Sequence, residues 1–458
     1  MERKTRIEKD SLGVMEVPIS KYWGAQTQRS LSNFNIGNEL VSLDLIKAVA
    51  AVKWAAASAN EKCGKLDKKR ANLIRTVSEE IISGKLNEHF PTHAYQAGSG
   101  TQTNMNVNEV IAHRANELAR IHHFVHPNDH CNMSQSTNDV YPTAMNICAL
   151  KLINKKLLPH INELIESLKK LEKKGEHIVK MGRTHIQDAL PITFGEEVSG
   201  WRFSLENNVN MIKETEQYFY SINMGGTAVG TGFEAPKNYD KYCCDFLNKI
   251  LKTNKFVVTK NKYHGTWSKD NFVYAHGAIK AMAANLFKIA QDVRFLASGP
   301  RSGFGEITIP ANEPGSSIMP GKTNPTQCEG MAMICGQVMG HDTTISFLAS
   351  QGNFELNTFG TVLMQNFIQS VTLFSDMIKS FNERCVSGIE INVDKMDYYV
   401  HHSLMLVTAL AEHIGYEKSS EIAKYAYKNK LTLKQAAHKL KYIKDKDFNK
   451  FVNPNKMV

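Results

Sequence analysis

The longest regular pattern in the chain runs from Ile147 to Leu171. Its apolar positions are Ile147, Leu150, Ile153, Leu157, Ile161, Leu164, Leu168 and Leu171. Steps of three and four lay them on one stripe of an α-helix. Pro159 falls inside the run; the stripe keeps its phase on both sides, so the pattern predicts a kink there rather than a stop. A second stripe, Phe272, Ala275, Ile279, Met282, Leu286, Ile289, Val293 and Leu296, repeats the rhythm. A helix of 25 residues is about 37 Å long at 1.5 Å per residue, and rods of that length pack side by side as a bundle. Stripes this long read as core, and as more apolar surface than one chain covers, which points to an assembly.

On either side the texture changes. Residues 1–138 mix short extended pieces around Gly13 and Gly24 with helical patterns, broken by two polar stretches, Gly98–Asn104 and His126–Asp129. Residues 139–391 are dominated by long helices. Residues 392–458 read as a small helical region with segments at Leu404–Val407, Ser419–Asn429 and Leu433–Leu440. No internal repeat or low-complexity linker divides the chain. The expected fold class is mainly α, in three regions with these boundaries.

Composition narrows the function classes. With 42% hydrophobic and 22% charged residues the chain reads as a soluble globular protein, and 458 residues are too many for a single core. No apolar run approaches the roughly 20 residues that span a bilayer, so no membrane partner is expected. The N-terminus is charged, with Glu2, Glu8 and Asp10 early, and carries neither a signal peptide nor a transit pattern; the expected location is the cytoplasm. A net charge of +10 suits nucleic acid or an anionic substrate. Lysines such as Lys155, Lys156, Lys169, Lys170, Lys173 and Lys174 are spread over helix faces rather than gathered in one block, so nucleic acid is not expected. The eight cysteines form no C-x-x-C pair, which leaves a zinc or iron–sulfur centre unsupported and reads as scattered reduced thiols.

One segment concentrates chemistry: Gly315-Ser316-Ser317-Ile318-Met319-Pro320-Gly321-Lys322-Thr323-Asn324-Pro325. Its glycines and prolines forbid regular structure, and it brings hydroxyls, an ammonium and a carboxamide into one loop, a combination suited to an anion. This segment resembles the signature of the fumarase/aspartase superfamily, G-S-S-x-M-P-x-K-x-N. The resemblance extends along the chain through Trp23–Ser30, Gly98–Asn108, Ser134–Asp139 and Gly182–Ala189. Pro325–Glu329, Gly98–Asn104, Gly225–Gly230 and Gly352–Asn357 are similar to the fumarase versions of these loops, specifically class II fumarases, with aspartate ammonia-lyase as the alternative. Three places depart from the family pattern: Met133 stands where a lysine is expected, Tyr263–Trp267 where Phe-Glu and small residues are usual, and Gly360-Thr361 where a basic residue and proline are usual.

The resemblance implies a three-domain fold whose long helices form a tetramer core, with each active site built from three chains, no cofactor and no metal. It implies reversible hydration of fumarate, a small dicarboxylate, to L-malate, a citric acid cycle step. Elimination from malate removes a proton beside a carboxylate, and the aci-carboxylate left behind needs preorganised donors and positive charge. The resemblance assigns the base to Ser316, whose hydroxyl needs backbone N–H groups and Lys322 to stabilise its alkoxide. It assigns proton transfer at oxygen to His185, imidazole being the side chain that exchanges protons near neutral pH, and pairs that ring with Glu329. Glu329 is equally readable as an acid placed for the N-terminus of the next helix. Ser99, Gly100, Thr101, Ser136, Thr137, Asn138, Thr184, Ser317, Lys322, Thr323 and Asn324 match substrate-binding positions, and Ser, Thr and Asn in such loops also cap helices. His126, Asn128 and Asp129 match a second anion site, and Pro127-Asn128-Asp129 is also ordinary turn chemistry.

Overall fold

The structure, a computed structural model, describes residues 5–458. It opens with an antiparallel hairpin, β1 (Thr5–Asp10) and β2 (Gly13–Pro18), with Asp10 opposite Gly13 across the turn. Five helices follow: α1 (Ala25–Asn33), α2 (Leu43–Lys62), α3 (Lys68–Ile82), α4 (Thr101–Ala119) and α5 (Thr137–Leu152). α2 is rich in alanine, the residue that loses least on becoming helical, and Ser42 caps it by accepting from the Asp44 amide at 3.2 Å.

The predicted kink at Pro159 takes a specific form. α5 ends at Leu152, one π turn (Ile153–Leu157) follows, and α6 (Leu158–Gly175) continues. Proline has no N–H for the carbonyl four residues back and its ring crowds that carbonyl; widening the preceding turn by one residue absorbs both effects.

A second hairpin, β3 (Val179–Thr184) and β4 (Gln187–Thr193), leads into α7 (Phe194–Phe219). Then come α8 (Tyr239–Ile250), α9 (Lys262–Trp267), α10 (Asp270–Leu296), α11 (Thr326–Ala349), α12 (Gly360–Arg384) and α13 (Val393–His402), before a group of short helices ends the chain. The C-terminal segments expected at Leu404–Val407, Ser419–Asn429 and Leu433–Leu440 are helical, and Asp445–Phe451 adds another. Leu406, Leu410, Ile422, Ala436 and Phe448 close a small core there.

The chain divides into two compact units, each drawn from three stretches. The first comprises residues up to Leu158 with Asn210–Ala281 and Gln337–Phe374; the second comprises Pro159–Val209, Met282–Gly336 and Ser375–Val458. The cuts fall at the start of α6 and inside α7, α10, α11 and α12. In the first unit Phe219, Phe272 and Phe367 from α7, α10 and α12 meet edge to face or tilted, with centroids 5.1 to 6.3 Å apart. Beside them His276 joins Asp342 and Ser370, each at 2.9 Å. In the second, Trp201 of α7 donates to Asp292 of α10 at 3.0 Å and Asn285 of α10 to Asn208 of α7 at 2.8 Å. Both units are thus built of long helices packed along their lengths.

Every position of the two predicted stripes is buried within this single chain. The stripes therefore say nothing about assembly, contrary to the expectation from their length. Large apolar side chains left exposed lie on other faces: Phe203, Met211 and Tyr218 of α7, Tyr274, Phe287 and Phe295 of α10, and Met333 and Phe347 of α11. No described helix is long and apolar enough to cross a membrane. Among the described residues no group of three or more His, Cys, Asp or Glu could hold a metal ion. All eight cysteines are free thiols, seven of them buried.

Candidate functional site

In the first unit the N-termini of α4 and α5 open onto one cleft of about 550 Å³, lined by Thr101, Asn104, Asn128, Ser134–Asn138 and the Thr227-Ala228 loop, among others. A larger hollow of about 730 Å³ lies among Lys169, Glu172 and Arg202, but there Arg202 is already paired with Glu172 at 2.5 Å. The smaller cleft offers what a carboxylate requires: hydroxyls, carboxamides and two helix N-termini.

Local sequence explains how these groups are presented. Gly100 caps α4 at φ +83°, a left-handed conformation that glycine adopts without penalty, and a Cβ there would come within 2.5 Å of the Tyr141 ring. Ser99 Oγ lies 3.1 Å from Thr101 Oγ1. Ser136 and Asp139 form a capping box at the start of α5: Ser136 Oγ accepts from the Asn138 amide at 3.2 Å and Asp139 accepts from the Ser136 amide at 3.0 Å. Asn138 donates from Nδ2 to the Ala228 carbonyl at 2.7 Å. Asp139 also accepts from the amides of Gly225 at 3.1 Å and Thr227 at 3.0 Å, fixing the opposite wall. Burial raises its pKa to about 6, against the pull of these hydrogen bonds.

Of the residues matched to a second anion site, Asn128 lines this same cleft. His126 and Asp129 instead pair with each other on the adjoining π turn (Pro127–Cys131), with Nδ1 and the carboxylate 3.3 Å apart and the Asp129 amide donating to His126 Nδ1 at 3.2 Å.

Beneath the cleft lies a polar layer that motif reading passed over. Lys53 of α2 is fully buried and donates to Asn132 Oδ1 at 3.0 Å and Gln135 Oε1 at 2.9 Å. Asn104 donates to Asn132 at 3.1 Å and to Thr137 Oγ1 at 3.0 Å. A signal was present in the sequence: one lysine interrupts the apolar run Ala48–Ala59 of α2, where a solvated charge has no place.

In the second unit the β3–β4 hairpin presents His185. Thr184 pairs with Gln187, so His185 and Ile186 form a two-residue turn, at φ +56° and +61°. That geometry belongs to a type I′ turn, normally made by Asn and Gly; here an imidazole and a β-branched side chain occupy it, both exposed. The hairpin is braced from below. Arg183 makes a two-pronged pair with the fully buried Glu306 at 2.8 and 3.1 Å, and Lys180 lies 3.2 Å from the same carboxylate. Asp188 accepts from Ser403 at 2.9 Å.

The Gly315–Asn324 loop, also in the second unit, is closed on itself. The Gly315 amide donates to the Lys322 carbonyl at 2.7 Å, and Asn324 Nδ2 donates to the Gly315 carbonyl at 2.8 Å. Ser316 Oγ accepts from two backbone amides, Ile318 at 3.2 Å and Met319 at 3.1 Å. Lys322 Nζ donates to Asn324 Oδ1 at 2.8 Å. Ser317, Lys322 and Thr323 are exposed. Glu329 sits in the first turn of α11, 3.7 Å from Arg294; no hydrogen bond or ion pair joins it to His185 within the chain.

Comparison with known proteins extends these loops to the whole molecule. Residues 13–340 match the family described as Lyase, and residues 406–458 the one described as Fumarase C C-terminus. Proteins named fumarate hydratase class II from Bacillus anthracis and Helicobacter pylori are each 51% identical, and that of Bacillus subtilis is 49% identical. Each alignment covers 99% of this chain and 98% of the relative. The crystal structure of recombinant class II fumarase from Schistosoma mansoni superposes with a TM-score of 0.96 at 38% identity, covering 99% of both chains. That of fumarate lyase:delta crystallin from Brucella melitensis bound to cobalt does so with a TM-score of 0.95, also at 38% identity and 99% of both chains. With the fold shared to that degree and about half of all residues shared from end to end, this chain belongs to the class II fumarate hydratase family.

Proposed function

We propose that the protein catalyses the reversible hydration of fumarate to L-malate. The observation that carries the reading is the Gly315–Asn324 loop, in which two backbone N–H groups converge on Ser316 Oγ. Donors aimed at a hydroxyl oxygen stabilise its alkoxide, which is what a serine needs to act as a base. In the elimination direction, the Ser316 alkoxide takes the C3 proton and the electron pair enters the adjacent carboxylate as an aci-carboxylate. Lys322 and Asn324 stabilise that charge. The pair then returns to form the C2–C3 double bond, and hydroxide leaves C2 with a proton from His185, as water. Ser99, Gly100, Thr101, Ser136, Thr137, Asn138, Thr184, Ser317 and Thr323 bind the carboxylates, Glu329 orients the histidine, and His126, Asn128 and Asp129 make the second anion site.

In this reading the chain works as a homotetramer in the cytoplasm, its three regions meeting 138/139 and 391/392, with each site assembled from three chains. An uncharged, exposed strip on α11, formed by Gln337, Gly340, Thr343 and Phe347, supports the assembly; small residues beside large apolar ones let helices approach closely. The test is fumarate ultraviolet absorbance with purified protein, with and without ammonium. Loss of absorbance in water alone, with malate formed, is expected. A requirement for ammonium would replace this reading by aspartate ammonia-lyase, which the named relatives do not favour.

A further inference from the structure

A fully buried lysine must be neutral or well paired, because an unpaired ammonium in the interior is costly. Lys53 has neither a carboxylate partner nor solvent: both its hydrogen-bond acceptors are side-chain amide oxygens, on Asn132 and Gln135. Burial draws its pKa down to about 7, with Cys131 and Asp139 acting in the opposite direction. What it holds is one segment of backbone. Gln135 passes the contact on from Nε2 to the carbonyls of Cys131 at 3.1 Å and Met133 at 2.9 Å. Asn132 donates from Nδ2 to the Gln135 carbonyl at 3.2 Å. From the same side Asn60 donates to the Met133 carbonyl at 2.9 Å and accepts from Ser134 at 2.8 Å.

Asn132 Oδ1 is the hub. It accepts from Lys53 at 3.0 Å, Asn104 at 3.1 Å and Asn108 at 3.2 Å, three donors on one oxygen. The Asn104 amide that reaches it also reaches Thr137 Oγ1, a hydroxyl on the cleft wall. A continuous chain of hydrogen bonds therefore runs from the buried Lys53 nitrogen to the groups that face the cleft. Amide and hydroxyl donors behind a pair of helix N-termini also make the cleft attractive to a carboxylate. Orientation by a hydrogen-bonded layer one step back is how first-contact residues are held to the tolerance a binding site needs.

We propose that Lys53 is a positioning residue of the cleft, holding the Cys131–Asn138 segment through Asn132 and Gln135 in the register that presents Thr137 and Asn138 to a substrate carboxylate. This inference rests on the proposed role of the cleft in binding the dicarboxylate. The experiment is steady-state kinetics on the full-length enzyme, with competitive inhibition by succinate as an independent reading of dicarboxylate affinity. Lys53→Met leaves Gln135 Oε1 buried without this donor and Asn132 Oδ1 one donor short, so KM for fumarate and the succinate inhibition constant should both rise about 10-fold while kcat changes little. Asn132→Ala should do the same, and the double variant should fall short of the product of the two, because both act through one hub. Val52→Ala, a buried truncation one residue away on α2, should lower the melting temperature and leave KM and the inhibition constant alone. Should Lys53→Met fail to fold, Asn132→Ala carries the test.

Asn138→Ala separates the two layers of argument. If it leaves KM unchanged, the cleft does not bind the substrate and the functional reading of the cleft falls. If it raises KM while Lys53→Met and Asn132→Ala do not, the cleft stands and the positioning role of Lys53 is overturned.

Discussion

In the proposed mechanism Ser316 and His185 act on different atoms of the substrate, and the two should fail differently. Losing a positioned base costs about 10²–10⁴-fold in rate. Ser316→Ala should accordingly lose turnover by that amount and lose exchange of the malate C3 proton with solvent deuterium. Its dissociation constant for succinate should hold, because Thr101, Asn138 and Lys322 remain. Near-normal exchange in Ser316→Ala would remove the serine from the role of base. His185 carries a second, conformational question, because its neighbour Ile186 is a β-branched residue at φ +61°. Such a residue in left-handed backbone stores about 1–2 kcal/mol, whereas glycine at the same place loses about 0.5–1 kcal/mol of chain entropy. Relief of strain slightly outweighs the entropy loss, so Ile186→Gly should leave the melting temperature unchanged or slightly raised. If the strained turn serves to aim the imidazole, the same variant should lower kcat, and an unchanged kcat would show that the turn is merely tolerated.

At the scale of elements, the cleft depends on backbones that approach closely. Gly98 is pressed against the segment leading into α12: a Cβ there would lie 1.5 Å from the Thr358 carbonyl oxygen. Its own carbonyl accepts from the Thr361 amide at 3.3 Å. Gly98→Ala forces the two segments apart, with an expected loss of about 3 kcal/mol, seen as a lower denaturation midpoint together with a higher KM. This contact also gives a physical meaning to the unusual Gly360-Thr361 pair: a proline at Thr361 would have no N–H to give to the loop. The N-terminal hairpin carries a pH-sensitive link of its own. Burial raises the Glu8 pKa, but His113 at 3.1 Å and Arg6 at 2.7 Å outweigh it and bring the carboxyl down to about 2. A carboxylate whose folded-state pKa is depressed contributes stability above its unfolded value, and the contribution is lost as pH falls through the folded value. Glu8→Gln should therefore flatten the decline of melting temperature between about pH 4.5 and 2. Parallel curves for the two proteins would show that the pair contributes nothing.

The whole molecule is where burial and assembly separate. The stripes that mark the long helices are consumed inside one chain, and what remains outside on α11 is a strip without charge. Phe347 in that strip is 62% exposed. If this strip is a subunit contact, Gly340→Glu places an unpaired carboxylate in it, and burying such a charge is prohibitive. The variant should sediment as a folded smaller species with native circular dichroism and little activity, because sites built from several chains cannot form. A tetramer of full activity would sink both the contact and the shared site.

Much of the fold is legible in the chain itself. Helical stripes depend only on residue spacing, so the long helices and the interruption at Pro159 followed from local pattern. The signature loop, the Ser134–Asp139 segment and the Arg183-Thr184-His185 run could be found because family chemistry there is carried by contiguous residues. The tertiary structure alone decided the rest, and for one reason: these features join residues remote in sequence. A helix reads the same on both sides of a cut between packing units, so composition could not show that α7, α10, α11 and α12 each pass from one unit to the other. Nor could it show which apolar positions were already covered, since burial depends on the neighbour and not on the stripe. The capping box at Ser136 was foreseeable in kind, but Asp139 reaching across to Gly225 and Thr227 was not. The sequence alone determined which groups are available for chemistry; folding determined that Lys53, Asn104 and Asn132, from three separate segments, stand as one hydrogen-bonded layer beneath them.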